Sequence, residues 1–109
     1  MNRNYRKGSD DLLNAENTRL CWDLLVKFGV NNQYYKIIEE CAELIEAASH
    51  ILQGDGDKDN FLEEMVDVIV LCQQHLNDEN ISDDDINERA RVKILRALGT
   101  DYAHKQKKG

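Results

Sequence analysis

Two spaced pairs of acids carry the chemistry this chain can offer. Glu40 and Glu43 stand three residues apart, and so do Glu64 and Asp67. On a helix that step puts the two side chains on neighbouring turns, about 60° apart around the axis. Four carboxylates drawn together repel one another and resist burial as anions. Protonation of some of them relieves the strain, and so does a divalent cation. A donor set made only of oxygens suits Mg²⁺ or Mn²⁺ rather than zinc. A single such pair reads as ordinary surface charge. Two pairs, each on the border of an apolar face in consecutive helices, favour the cation.

Helices must position these acids, and the chain parses into four. The first runs from Asp10 or Leu12 to Phe28 and stops at Gly29. The second runs from Asn32 to Gln53, capped by Asn31 or Asn32 and closed by Gly54. A polar loop over 54–60 follows. Asn60, with Glu63 three residues on, opens the third helix as a capping box, and that helix reaches Leu76. Ser82, followed by Asp83, Asp84 and Asp85, starts the fourth, which ends before Gly99. The expected organisation is a loose arm over 1–9, one helical domain over 10–99 and a basic tail over 100–109.

In the second helix, Tyr34, Ile37, Ile38, Cys41, Leu44, Ile45, Ala48, Ile51 and Leu52 fill one apolar arc. Glu39 and Glu46 point away from it. Glu40 lies at its edge near Leu44 and Ile51, with Glu43 further round. In the third helix, Phe61, Leu62, Met65, Val68, Ile69, Cys72 and Leu76 form the arc, and His75 sits within it as a core histidine. Glu64 falls between Val68 and Leu71, and Asp67 lies beside Leu71. The short loop makes the two helices antiparallel neighbours, which brings the four acids together. Val66 and Val70 leave the third helix apolar almost all round. Such a helix needs cover on more than one side, so at least a dimer is expected.

Composition agrees with a helical chain. Its 109 residues suit one domain; there is no proline, and aromatic residues are only 6%. A net charge of −7 argues against nucleic acid as the main ligand, because phosphate-backbone binders show a broad basic face. An acidic protein still binds a polyphosphate when divalent metals intervene. No apolar run approaches the roughly 18 residues of a membrane span, and residues 1–10 lack a signal-peptide core. A cytoplasmic location is the expectation. Cys21, Cys41 and Cys72 are widely spaced with no CxxC pair, which makes zinc improbable; they read as small buried hydrophobes.

The stretch Ile38-Glu39-Glu40-Cys41-Ala42-Glu43-Leu44 has the form EExxEL, and Phe61-Leu62-Glu63-Glu64-Met65-Val66-Asp67-Val68 contains EExxDV. Together they resemble the EExxE…ExxD signature of the MazG-like all-alpha nucleoside triphosphate pyrophosphatases, over roughly residues 20–98. The resemblance implies an all-α, four-helix-bundle-like fold, assembled as homodimers or homotetramers. It implies a Mg²⁺-dependent hydrolase, with Mn²⁺ able to substitute, that cleaves a nucleoside triphosphate between the α and β phosphates. Glu40, Glu43, Glu64 and Asp67 take the metal-ligand and catalytic roles. Lys93 and Arg96, with Arg89 on the same side of the fourth helix, resemble phosphate contacts. Trp22 and Gln33 fall in the region that helps hold the base. Each has a plainer reading beside it: Arg89 as an ion-pair partner of Asp85, and Trp22 and Tyr34 as core. Glu39, Glu46 and Glu63 become candidates for the base only if packing turns them inward.

Three other patterns are weaker. Asp55, Asp57 and Asp59 mimic the start of an EF-hand loop, but Asn60 and Val66 stand where it needs Gly and Glu. A di-iron bundle wants Glu-x-x-His motifs, which are missing. A catalytically inactive helical module that binds nucleotides or a protein is the alternative, and the full set of four acids argues against it.

Overall fold

The computed structural model describes residues 11–108, with side chains to residue 99. Its elements are α1 (Ala15–Phe28), α2 (Val30–Gln53), α3 (Lys58–Asp78) and α4 (Asp83–Lys108), with no strand among the described residues. The fold is all-α. The expected arm over 1–9 and the side chains of the tail over 100–109 lie outside the described residues.

Local hydrogen bonds decide where the helices begin. α1 starts at Ala15, later than Asp10 or Leu12, because the Asn14 side-chain Oδ1 accepts the Asn17 N–H at 2.7 Å. α2 starts at Val30, directly after Gly29, so Asn31 and Asn32 lie inside the helix rather than capping it. Asn32 instead donates its side-chain amide to the Phe28 carbonyl at 2.7 Å. α3 starts at Lys58, ahead of the expected cap at Asn60, because Asp57 has extended backbone and its carboxylate accepts the Asp59 N–H at 2.9 Å. Ser82 caps α4 as its sequence suggests, accepting the Asp85 N–H at 3.1 Å. Gly99 (φ 86°, ψ 178°) breaks the helical backbone, which resumes over 100–108.

The α2–α3 turn depends on its glycines. Gly54 is left-handed at φ 86° and donates its N–H to the last turn of α2. Gly56 folds back so closely that a Cβ there would sit 2.5 Å from the Ile51 nitrogen. Only glycine fits that approach.

Helices α1, α2 and α3 form one compact unit ending at Glu79; α4 belongs to a second, from Asn80 onward. In the first unit α3 packs against both α2 and α1. Its buried apolar residues are Cys21, Leu25, Ala47 and Leu71, accompanied by three buried polar ones, Gln33, Glu40 and Gln74.

This core differs from the predicted arcs. Ile38, Ile45 and Leu52, along one edge of the predicted α2 arc, are 67%, 70% and 90% exposed. The face of α2 that meets α3 is centred instead on Gln33, Glu40 and Ala47, with Ile37, Leu44 and Ile51 half-buried beside them. An arc this wide exceeds what one neighbouring helix covers, so α3 takes one edge of it and the other edge stays outside. Leu62 and Cys72 on α3 are exposed for the same reason. Of the cysteines only Cys21 is buried; its Sγ lies 3.7 Å from the Val70 carbonyl oxygen, and burial pushes its thiol pKa up. Trp22 and Tyr34 are exposed rather than core, and the Tyr34 ring stacks on His75 at 4.4 Å. Among the described residues, no helix is long and apolar enough to cross a membrane.

Candidate metal centre

Antiparallel packing of α2 on α3 sets Glu40 and Glu43 beside Glu64, and one carboxylate oxygen from each falls within 4.8 Å of the others. Glu40 is buried, Glu64 half-buried and Glu43 exposed. Lys36, one turn before Glu40, lies 3.2 Å from Glu40 Oε1 and 3.5 Å from Glu39. The other oxygen, Glu40 Oε2, is buried with no hydrogen-bond partner, and so is Glu64 Oε2. Buried carboxylate oxygens are rarely left bare, because desolvation without a partner is costly.

Crowding shows on Glu43. Its carboxyl pKa is pushed up from 4.5 to about 7. A hydrogen bond to Glu40 is the main cause, followed by repulsion from Glu40, partial desolvation, and the charge of Glu64. Two buried bare oxygens and an adjacent acid whose pKa is raised by crowding are what a cation between α2 and α3 would relieve. Three carboxylate oxygens so placed could hold a divalent cation that takes oxygen donors.

A scan of protein-family models and searches of curated proteins and of solved structures found no match to this chain.

Asp67, the fourth acid expected at the centre, is exposed and is not part of the group formed by the other three. Gln33, expected near the base, is buried, and its Nε2 donates to Gln74 Oε1 at 2.8 Å. With its amide inside the helix pair it has no surface to offer a substrate. Trp22 is exposed on α1. Lys93, Arg96 and Arg89 are exposed on α4, where Arg89 Nε is 3.0 Å from Asp85 Oδ1. Glu39, Glu46 and Glu63 are exposed, and none is turned inward.

A depression of about 600 Å³ adjoins the acids and has Glu43 and Glu64 in its wall. Glu46, His50, Asp55 and Asn60 also line it. His50 is 2.9 Å from Asp55 and 3.8 Å from Glu46. The Asp55 hydrogen bond, then the Asp55 and Glu46 charges, outweigh desolvation and raise its pKa. Lys36 and His50 are the site neighbours that pattern-reading passed over. The Lys36–Glu40 four-residue spacing was available as a signal for the first. The second depends on the fold of the loop at Asp55.

Proposed function

We propose that this chain is a Mg²⁺-dependent nucleoside triphosphate pyrophosphohydrolase. The observation that carries the reading is the convergence of Glu40, Glu43 and Glu64, with two of their oxygens buried and unpartnered. The motifs EExxEL and EExxDV, with their resemblance to MazG-like pyrophosphatases, supply the reaction class. Glu40, Glu43 and Glu64 would hold the ion, and Mn²⁺ would substitute. A divalent ion bound there supplies charge neutralisation for a polyphosphate and a lowered pKa for a bound water.

The chain's own residues do the rest. Lys36 balances one oxygen of Glu40 and leaves the other for the ion. Glu43, whose pKa its hydrogen bond to Glu40 raises, would lose its proton to solvent on binding the ion. The depression beside the acids receives the nucleotide, and His50, whose pKa Asp55 raises, is the basic side chain in a wall rich in carboxylates. Lys93 and Arg96 are assigned to phosphate on the strength of the resemblance. Assembly as a homodimer or homotetramer of MazG type, in the cytoplasm, belongs to the same reading. Ile38, Ile45 and Leu52 recur every seven residues as an exposed apolar seam, which supports assembly.

The deciding experiment incubates the protein with a panel of canonical, deoxy and modified nucleoside triphosphates, with Mg²⁺ and with EDTA. The expected products are nucleoside monophosphate and pyrophosphate, formed only with metal. Diphosphate plus phosphate overturns the bond assignment. No turnover of any member of the panel leaves the inactive nucleotide-binding or protein-interaction module.

A further inference from the structure

Gln33 and Gln74 are the most deeply buried polar residues of the three-helix unit, at 6% and 1% exposure. Their side chains meet across α2 and α3 at 2.8 Å. A second contact reinforces them there: His75 Nε2 lies 3.2 Å from the Gln33 carbonyl oxygen. At the far end, the same two helices are joined by the loop over 54–57. The carboxylates lie between these two closures. Glu43 is ten residues after Gln33 and Glu64 ten residues before Gln74, so in an antiparallel pair the acids meet at one height when the glutamines do. That height is about 15 Å along the axis from the amide pair. Glu40 is seven residues after Gln33, close to two full turns, so the rotation that buries the amide also turns Glu40 inward.

Apart from this cluster of Gln33, Gln74 and His75, what holds the contact is less selective. Burial of apolar surface is non-directional and tolerates sliding or rolling of one helix on another. Repulsion among the acids pushes the pair apart around the loop. A buried amide–amide hydrogen bond is directional, and breaking it strands a polar group away from water. A single buried polar contact is a well-attested way to fix helix register.

We infer that Gln33 and Gln74 are positioning residues: they form a register clasp that holds α2 and α3 at the height and rotation where Glu40, Glu43 and Glu64 converge on one cation. The inference rests on the metal reading above, and it replaces substrate contact as the role of Gln33.

The test pairs Gln33→Met/Gln74→Met, which removes both polar partners at nearly constant shape, with Gln33→Asn, which keeps an amide but draws it back by one carbon. Mn²⁺ is the probe, titrated by electron paramagnetic resonance. Inter-helix proton–proton contacts between α2 and α3 are recorded by nuclear magnetic resonance without metal. The double variant should melt no lower than wild type, since no polar group is stranded. Both variants should bind Mn²⁺ roughly tenfold or more weakly, as for other groups that orient metal ligands, and both should show a shifted pattern of inter-helix contacts. Wild-type Mn²⁺ affinity in both variants, or an unchanged contact pattern, overturns the clasp. If wild type itself binds no Mn²⁺, the metal reading fails, and the metal-free contact pattern alone decides the clasp.

Discussion

Binding of a divalent cation should expel a proton, and the amount follows from Glu43. Its carboxyl pKa is raised from 4.5 to about 7, chiefly by the hydrogen bond to Glu40 and then by the negative charge of Glu40. The folded chain therefore holds a proton between those two values that the unfolded chain has already lost. The stabilisation from Glu43 is complete below about pH 4.5 and disappears as pH rises through about 7, so the metal-free chain weakens across that window. A cation competes for the same oxygens and takes the place of that proton. With a single site near 7, binding should release about 0.9 proton at pH 6, about 0.5 at pH 7 and about 0.1 at pH 8. Affinity should rise by up to about tenfold per pH unit below 7 and flatten above it. Calorimetric titration with MgCl₂, in two buffers of different ionisation enthalpy at each pH, measures the protons directly. Glu43→Gln should abolish the release. A proton count near zero at pH 6, or one that does not fall towards pH 8, would refute the idea that Glu43 shares a proton within the cation site.

Other expectations follow from the same geometry. Glu64→Gln should cut pyrophosphate release by about 100-fold or more, since metal catalysis contributes several kcal/mol, while Glu63→Gln, exposed on α3 and outside the lining of the depression, should stay within a few-fold in the same steady-state assay. Asp67→Asn should lower turnover far less than Glu64→Gln, because Asp67 stands outside the group of three; equal losses would mean that Asp67 joins the site. Gly56→Ala drives a Cβ to 2.5 Å from the Ile51 nitrogen and should lower the melting temperature by about 4 °C or more, read by circular dichroism. Ile45→Lys places a charge in the exposed seam of α2 and should reduce the mass measured by light scattering at micromolar concentration; a wild-type monomer would remove the reason for the seam.

What could be read in advance was governed by local chemistry. Four helices, the stop at Gly29 and the Ser82 cap are written in residues that act on their own neighbours. The α3 start was misplaced because Asn60 and Glu63 offered one cap while Asp57 offered another, and only the backbone at Asp57 decides between them. The interior was misread for a different reason. Helical periodicity locates an apolar arc but not which part of it a neighbour covers. Ile38, Ile45 and Leu52 belong to the arc and yet stand outside the contact with α3, whereas Gln33 and Glu40 at its border are inside.

That same displacement explains the site. Had the middle of the α2 arc faced α3, Glu40 would have stood at the rim with water on both oxygens. With the contact shifted to the polar border, Glu40 is drawn inside, one oxygen is left to Lys36 and the other has no protein partner. Glu43 and Glu64 then meet because they occupy matching heights, while Asp67 stays exposed outside the group. An acid pair at three-residue spacing therefore specifies which helix face holds the ligands. Which of its members enters the cluster depends on the roll of one helix against the other. In this fold that roll places two amides, Gln33 and Gln74, where apolar residues would have been equally well buried but less selective.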